Sequence, residues 1–186
     1  MAGVFIGVSK GINYVRENWL GHNAKSLLNE EWITSEYGDP AIIVATPKVL
    51  KRLSDERVQN NLPSHVKANA KFSYGSLLDN FSIMLSTTAF KDTTSLDMER
   101  ALEINLKQLE ILGAKNITVN KEDYEDPKGL KGKMASGTFM AMIPIENEDQ
   151  YMSYQIFVFA QPGGAQELFL VYRNEDEYAK KIMEEF

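Results

Sequence analysis

The sequence predicts an α+β domain, a central antiparallel sheet of about six strands covered by helices on both faces. Segments of β-branched and aromatic residues recur along the second half of the chain, and one clearly amphipathic helix interrupts them. The last two of these segments are apolar on both sides. A sheet with one solvated face would place polar residues at every second position, so both faces need cover.

Val8, Ile12, Val15 and Trp19 recur at helical spacing and predict an N-terminal helix that Gly21 interrupts. A weaker helical stretch with Leu27, Leu28 and Trp32 leads to Tyr37-Gly38-Asp39-Pro40, which favours a turn. The chain is therefore divided into an N-terminal helical arm, residues 1–40, and a compact domain, residues 41–186. Ala41 to Thr46 is short and β-branched and reads as a strand, with Pro47 removing a ladder donor at its end. Ser54 to Ser64 is polar and reads as a loop or a single helical turn. Lys71–Tyr74 and Phe81–Ser86 form a hairpin.

Thr94 and Asp97 satisfy the S/T-x-x-D/E form of a capping box, with Ser95 as an alternative cap, and Gly113 stands where a left-handed residue ends a helix. Between them Met98, Ala101, Leu102, Leu106, Leu109 and Leu112 form one stripe, opposite Glu99, Arg100, Glu103, Lys107 and Glu110. Ile117 to Val119 opens another strand. The acidic segment Glu122-Asp123-Tyr124-Glu125-Asp126 with Pro127 and Gly129 reads as a long hairpin loop, and Met134 to Ile143 as strand. Tyr151–Ala160 and Glu167–Arg173 pair through Pro162-Gly163-Gly164. Met152, Tyr154, Ile156 and Val158 point to one face, and Tyr151, Phe157 and Phe159 to the other. Asp176 to Phe186 closes the chain as a helix with Tyr178, Ile182 and Met183 inward, and its abrupt end at Phe186 suggests that a further short segment follows.

With 186 residues, 44% hydrophobic and 25% charged, the chain can fold as one domain of ordinary size. A net charge of -6 repels phosphate backbones and anionic headgroups, so nucleic acid is not an expected partner. The absence of cysteine removes thiol nucleophiles, thiolate zinc sites, iron–sulfur clusters and disulfides. No run approaches the ~20 apolar residues that span a bilayer. The apolar start Met1-Ala2-Gly3-Val4-Phe5-Ile6 would nevertheless also arise from a cut just inside a membrane anchor. Cytoplasmic and membrane-anchored, cell-envelope locations are both consistent with this.

No string carries a catalytic signature. Four carboxylates at Glu122, Asp123, Glu125 and Asp126 could gather around calcium, but their spacing fails the EF-hand pattern, and a solvated loop explains them. Lys128, Lys131 and Lys133 alternate with Gly129 and Gly132 without the phosphate-loop spacing. Met134-Ala135-Ser136-Gly137 lacks the first glycine of a nucleophile elbow. Only His22 and His65 are available for histidine chemistry. No metal and no cofactor are expected. Tyr14, Trp19, Trp32 and Tyr37 cluster in the first forty residues, and amphipathic aromatics are favoured at protein interfaces and membrane surfaces. These four are the candidate partner-binding residues.

From Ala41 onward the order is strand, two strands, long helix, paired strands, Gly-centred hairpin and a closing helix with Tyr178 and Ile182 in a Tyr-x-x-x-Ile pattern. This order resembles the PsbP-like family, whose fold group includes the Ran-binding Mog proteins, over roughly three quarters of the chain. The resemblance implies a three-layer α/β/α sandwich used for binding or accessory roles. The resulting expectation is a non-catalytic accessory or protein-binding domain, docked to a protein partner, to a second copy or to a membrane through its N-terminal arm. The alternative is a hydrolase-type enzyme with a site built from carboxylates and His65. No small-molecule ligand is indicated.

Overall fold

Alternation along the longest aromatic segment decides the architecture. Met152, Tyr154, Ile156 and Val158 are buried on one side of the strand, and Phe157 and Phe159 are buried on the other. A strand buried on both faces must lie inside a covered sheet. The computed structural model describes residues 24–53, 62–75, 79–93, 96–143 and 148–186. Its elements are α1 (Ala24–Leu28), β1 (Ile33–Tyr37), β2 (Ile42–Thr46), β3 (Lys51–Arg52), β4 (Val66–Tyr74) and β5 (Phe81–Phe90). They continue with α2 (Met98–Ile111), β6 (Asn120–Glu125), β7 (Lys131–Ile143), β8 (Glu148–Gln161), β9 (Gly164–Arg173) and α3 (Glu177–Met183).

Strands 3 to 9 form one antiparallel sheet in the order β3-β4-β5-β9-β8-β7-β6, and β1 and β2 form a separate hairpin. The large sheet is two meanders. The first, β3-β4-β5, is followed by α2, which carries the chain to the far edge. The second, β6-β7-β8-β9, returns to pair β9 with β5. Nine residue pairs run along that seam, from Phe81 with Tyr172 to Ala89 with Gly164.

The expected fold class is overturned. Strands take up 51% of the described residues and helices only 18%, so this is a mostly β protein with seven strands in its main sheet and not a helix-covered α/β/α sandwich. One face carries a core around Phe81, Leu85, Leu168 and Leu170. Its cover comes from the short α1 and α3 and from the β1–β2 hairpin. The opposite core, around Phe139, Met152, Tyr154 and Ile156, is covered by Ala101, Leu102 and Leu109 of α2. The physical reason for the difference lies in residues 33–46. Their first half was expected to belong to a helical arm, but the turn at Tyr37–Pro40 folds it back so that Ile33 to Tyr37 pairs with Thr46 to Ile42.

Other elements shift as well. The helix cap is Asp97, whose carboxylate accepts from Arg100 N at 3.1 Å, three residues beyond the expected Thr94. Gly113 ends α2 with φ +93°, as its position suggested. Leu112 is 63% exposed and outside the packed stripe. The acidic segment is a strand, β6, and Ile117 to Val119 precedes it without joining a strand. In α3, Asp176 caps by accepting from Tyr178 N and Ala179 N. Ile182 and Met183 are buried, while Tyr178 is 39% exposed under the ammonium of Lys25. The expected N-terminal helix through Val8 and Trp19 lies outside the described residues.

The hairpin docks on the β5–β9 seam through close backbone approaches. A Cβ on Gly38, whose φ is +75°, would lie 2.0 Å from Thr87 Oγ1, and a Cβ on Gly164 would lie 2.3 Å from Pro40 Cγ. Asp39 N donates to Thr87 Oγ1, and Leu50 N donates to the Tyr37 hydroxyl at 2.9 Å. Both the left-handed φ and the missing space at position 38 reject a side chain. We predict that Gly38→Ala costs about 2 kcal/mol or more in urea unfolding; an unchanged midpoint would show that the hairpin does not depend on this contact.

Candidate functional site

Docking the hairpin over the seam leaves a gap beside it. Among the described strands β2 has β1 on one side only, and between its other edge and the β6–β7 turn lies a cavity of about 470 Å³. The floor is the sheet itself, with Phe159 of β8 and Gln166 and Leu168 of β9. One wall is residues 41–45. Facing it are Tyr124 and the turn residues Asp126, Lys128 and Leu130. Trp32 and Phe186 also line the cavity, their rings 4.9 Å apart edge to face.

Each wall is held by local chemistry. Tyr124 is the one apolar residue of β6, and its ring packs edge-on to Phe157 at 4.9 Å and to Phe159 at 5.9 Å. Asp126 closes the β6–β7 turn by accepting from Lys128 N at 2.9 Å and Leu130 N at 2.7 Å. Its carboxylate is thereby committed to the turn. Gln166 is buried in the floor, and its amide nitrogen lies 3.5 Å from the carbonyl of Ala41, a long contact.

The proposed partner-binding residues separate. Trp32 lines the cleft, whereas Tyr37 is 4% exposed, packed 5.1 Å from Phe72 and hydrogen-bonded to Leu50, so it belongs to the core. Tyr14 and Trp19 lie outside the described residues, as does His22. His65 is exposed just before β4 with its ring 6.0 Å from that of Phe90, and it does not line the cleft. Of the four carboxylates, Glu122, Asp123 and Glu125 are spread along β6 and Asp126 lies in the turn after it. Asp123 pairs with Lys133 at 2.6 Å, an ion pair that holds its carboxyl below the usual range. Among the described residues no group of three or more His, Asp or Glu side chains is placed to hold a metal ion. No described helix is long and apolar enough to cross a membrane. Compared with protein-family models and with curated proteins, the chain matches none.

On the opposite face, beside α2, stands a second polar group. Glu167 of β9 is half-buried, and desolvation raises its pKa against the opposing effects of the Asn105 hydrogen bond and the charge of Lys71. Nearby Asn69 donates to Ser86 Oγ and Thr88 Oγ1. These bonds tie β4 to β5. Tyr154, buried on the same face, donates to Thr118 O at 2.8 Å, and burial pushes its hydroxyl up to about 12.

A carboxyl whose pKa is raised on folding contributes stability below the ordinary glutamate range and loses it as pH rises through that range to the raised value. Thermal unfolding should therefore show Glu167→Gln more stable than wild type at neutral pH and equal to it in acid. A variant less stable at neutral pH would mean that the charged carboxylate is favourably held.

Proposed function

We propose that the chain is a non-catalytic protein-binding domain and that the cleft between β2 and the β6–β7 turn is its binding site. The observation that carries this reading is the cleft itself, a preformed concavity within the usual size of ligand sites, ~300–1,000 Å³. Its aromatic lining is contributed by four separate parts of the fold, through Trp32, Tyr124 and Phe186 around Phe159 of the floor. Concave apolar surface with a few fixed polar groups is what a binding partner desolvates for affinity, while groups such as Gln166 set orientation. Trp32, singled out in the sequence as a partner-binding aromatic, sits in this site. The hydrolase alternative gains no comparable support, because His65 stands exposed and away from the cleft.

A random-peptide display library selected against the folded chain tests the reading. Val44→Trp and Leu130→Glu change cleft-lining positions on opposite walls, half-buried and exposed respectively, and replace no buried core residue. Selected peptides are expected to lose about tenfold or more in affinity for both variants, a change of ~1.4 kcal/mol. Peptides that bind wild type and both variants equally would place the binding site elsewhere.

A further inference from the structure

We infer that the occupant of the cleft is an extended segment of a partner protein, added as a third strand along the free edge of β2. The inference rests on the reading of the cleft as a protein-binding site and concerns what that site recognises.

The side chains of β2 alternate, with Ile42 and Val44 half-buried and Ile43 and Ala45 exposed. A strand that offers one face to a cavity contributes every second residue to it. Here residues 41, 42, 43, 44 and 45 all line the cavity in succession. Consecutive lining means that the strand borders the cavity with its edge. Among the described strands β2 is hydrogen-bonded only to β1, so alternate N–H and C=O groups along its other edge, on the side that borders the cleft, have no strand partner there. Apolar side chains of many kinds could fill a greasy pocket, but a row of backbone donors and acceptors is complemented by another backbone.

The other sheet edges sharpen the contrast. β6 carries Lys121, Glu122, Asp123 and Glu125 along its six residues, β3 is only Lys51–Arg52, and β1, the partner of β2, carries Glu36 and contributes no residue to the cleft. Charge and shortness are how proteins blunt edges against pairing. By contrast β2, Ile-Ile-Val-Ala-Thr, has no charge and a strong strand composition. It is the edge left suited to pairing.

The geometry also fixes the chemistry of the segment. A strand continuing the β1–β2 sheet shares its alternation, so every second side chain faces the floor of Phe159 and Leu168 and should be apolar. The intervening side chains lie beside exposed Ile43 and Ala45, towards solvent, and are free to be polar.

Peptides enriched from the random library supply the probe. Each is resynthesised with a single backbone N-methyl group at successive positions, which removes one donor and leaves the side chain in place. Binding should fall about tenfold or more at every second position and stay near the parent value between them. Amide exchange of residues 42–46 should slow at alternate residues when the peptide is bound. N-methylation without alternation, in peptides that still lose affinity for Val44→Trp and Leu130→Glu, overturns strand addition and leaves the cleft as the binding site. Peptides indifferent to both cleft variants overturn the site as well.

Discussion

Everything else in this structure depends on the pairing of β5 with β9. Among the described residues the two meanders pair nowhere else, so this seam converts them into one seven-stranded sheet. It also creates the platform on which the β1–β2 hairpin sits. Thr87 of β5 approaches Gly38, and Gly164 of β9 approaches Pro40, so the hairpin is located by both strands at once. The cleft exists because the hairpin covers the seam and stops short of the β6–β7 turn.

The two covers are unlike because the two faces are. Over β7 and β8, α2 presents Ala101, Leu102 and Leu109 to a core dominated by Phe139, Tyr154 and Ile156. It does not extend over β4, where Asn69 and Ser73 lie on the α2 side of the sheet beside Ser86 and Met84. That part of the face is polar enough to meet water, and the Asn69 hydrogen bonds stabilise it without a helix. On the other face the apolar surface spans the whole seam, and one hairpin with two short helices shares the task.

Much of the strand content was legible in the sequence, because period-two patterns survive translation into structure. Alternation alone assigns the residues of 151–159 to their faces, whereas 167–173, apolar without alternation, and Phe81–Ser86 read as strand from β-branched and aromatic composition. The helix through Leu102 and Leu109 was equally clear. What failed was the acidic segment, where Glu122, Asp123 and Glu125 have poor strand propensity, so composition argued for a loop. At a sheet edge, charge is tolerated and useful, and the pairing partner in β7 lies further along the chain. Residues 33–37 failed similarly, since Ile-Thr-Ser-Glu-Tyr becomes a strand only through β2. The cleft was hidden for a different reason. Its residues are scattered from Trp32 to Phe186, and each has an ordinary core explanation when read alone. The readable signals were the clustering that included Trp32 and the uncharged, β-branched run at 42–46.

The packing of Phe186 against Trp32 and Phe81 has a kinetic consequence. The contacts that complete the cleft join positions near opposite ends of the sequence, and such closures follow local structure because they carry the largest loop entropy. The β4–β5 and β8–β9 hairpins can form from neighbouring residues, but the cleft must wait for the seam, the hairpin docking and α3. Given this loop-entropy cost, the proposed binding site would be completed after the hairpins, and a partly folded molecule would present strands before the cleft is closed.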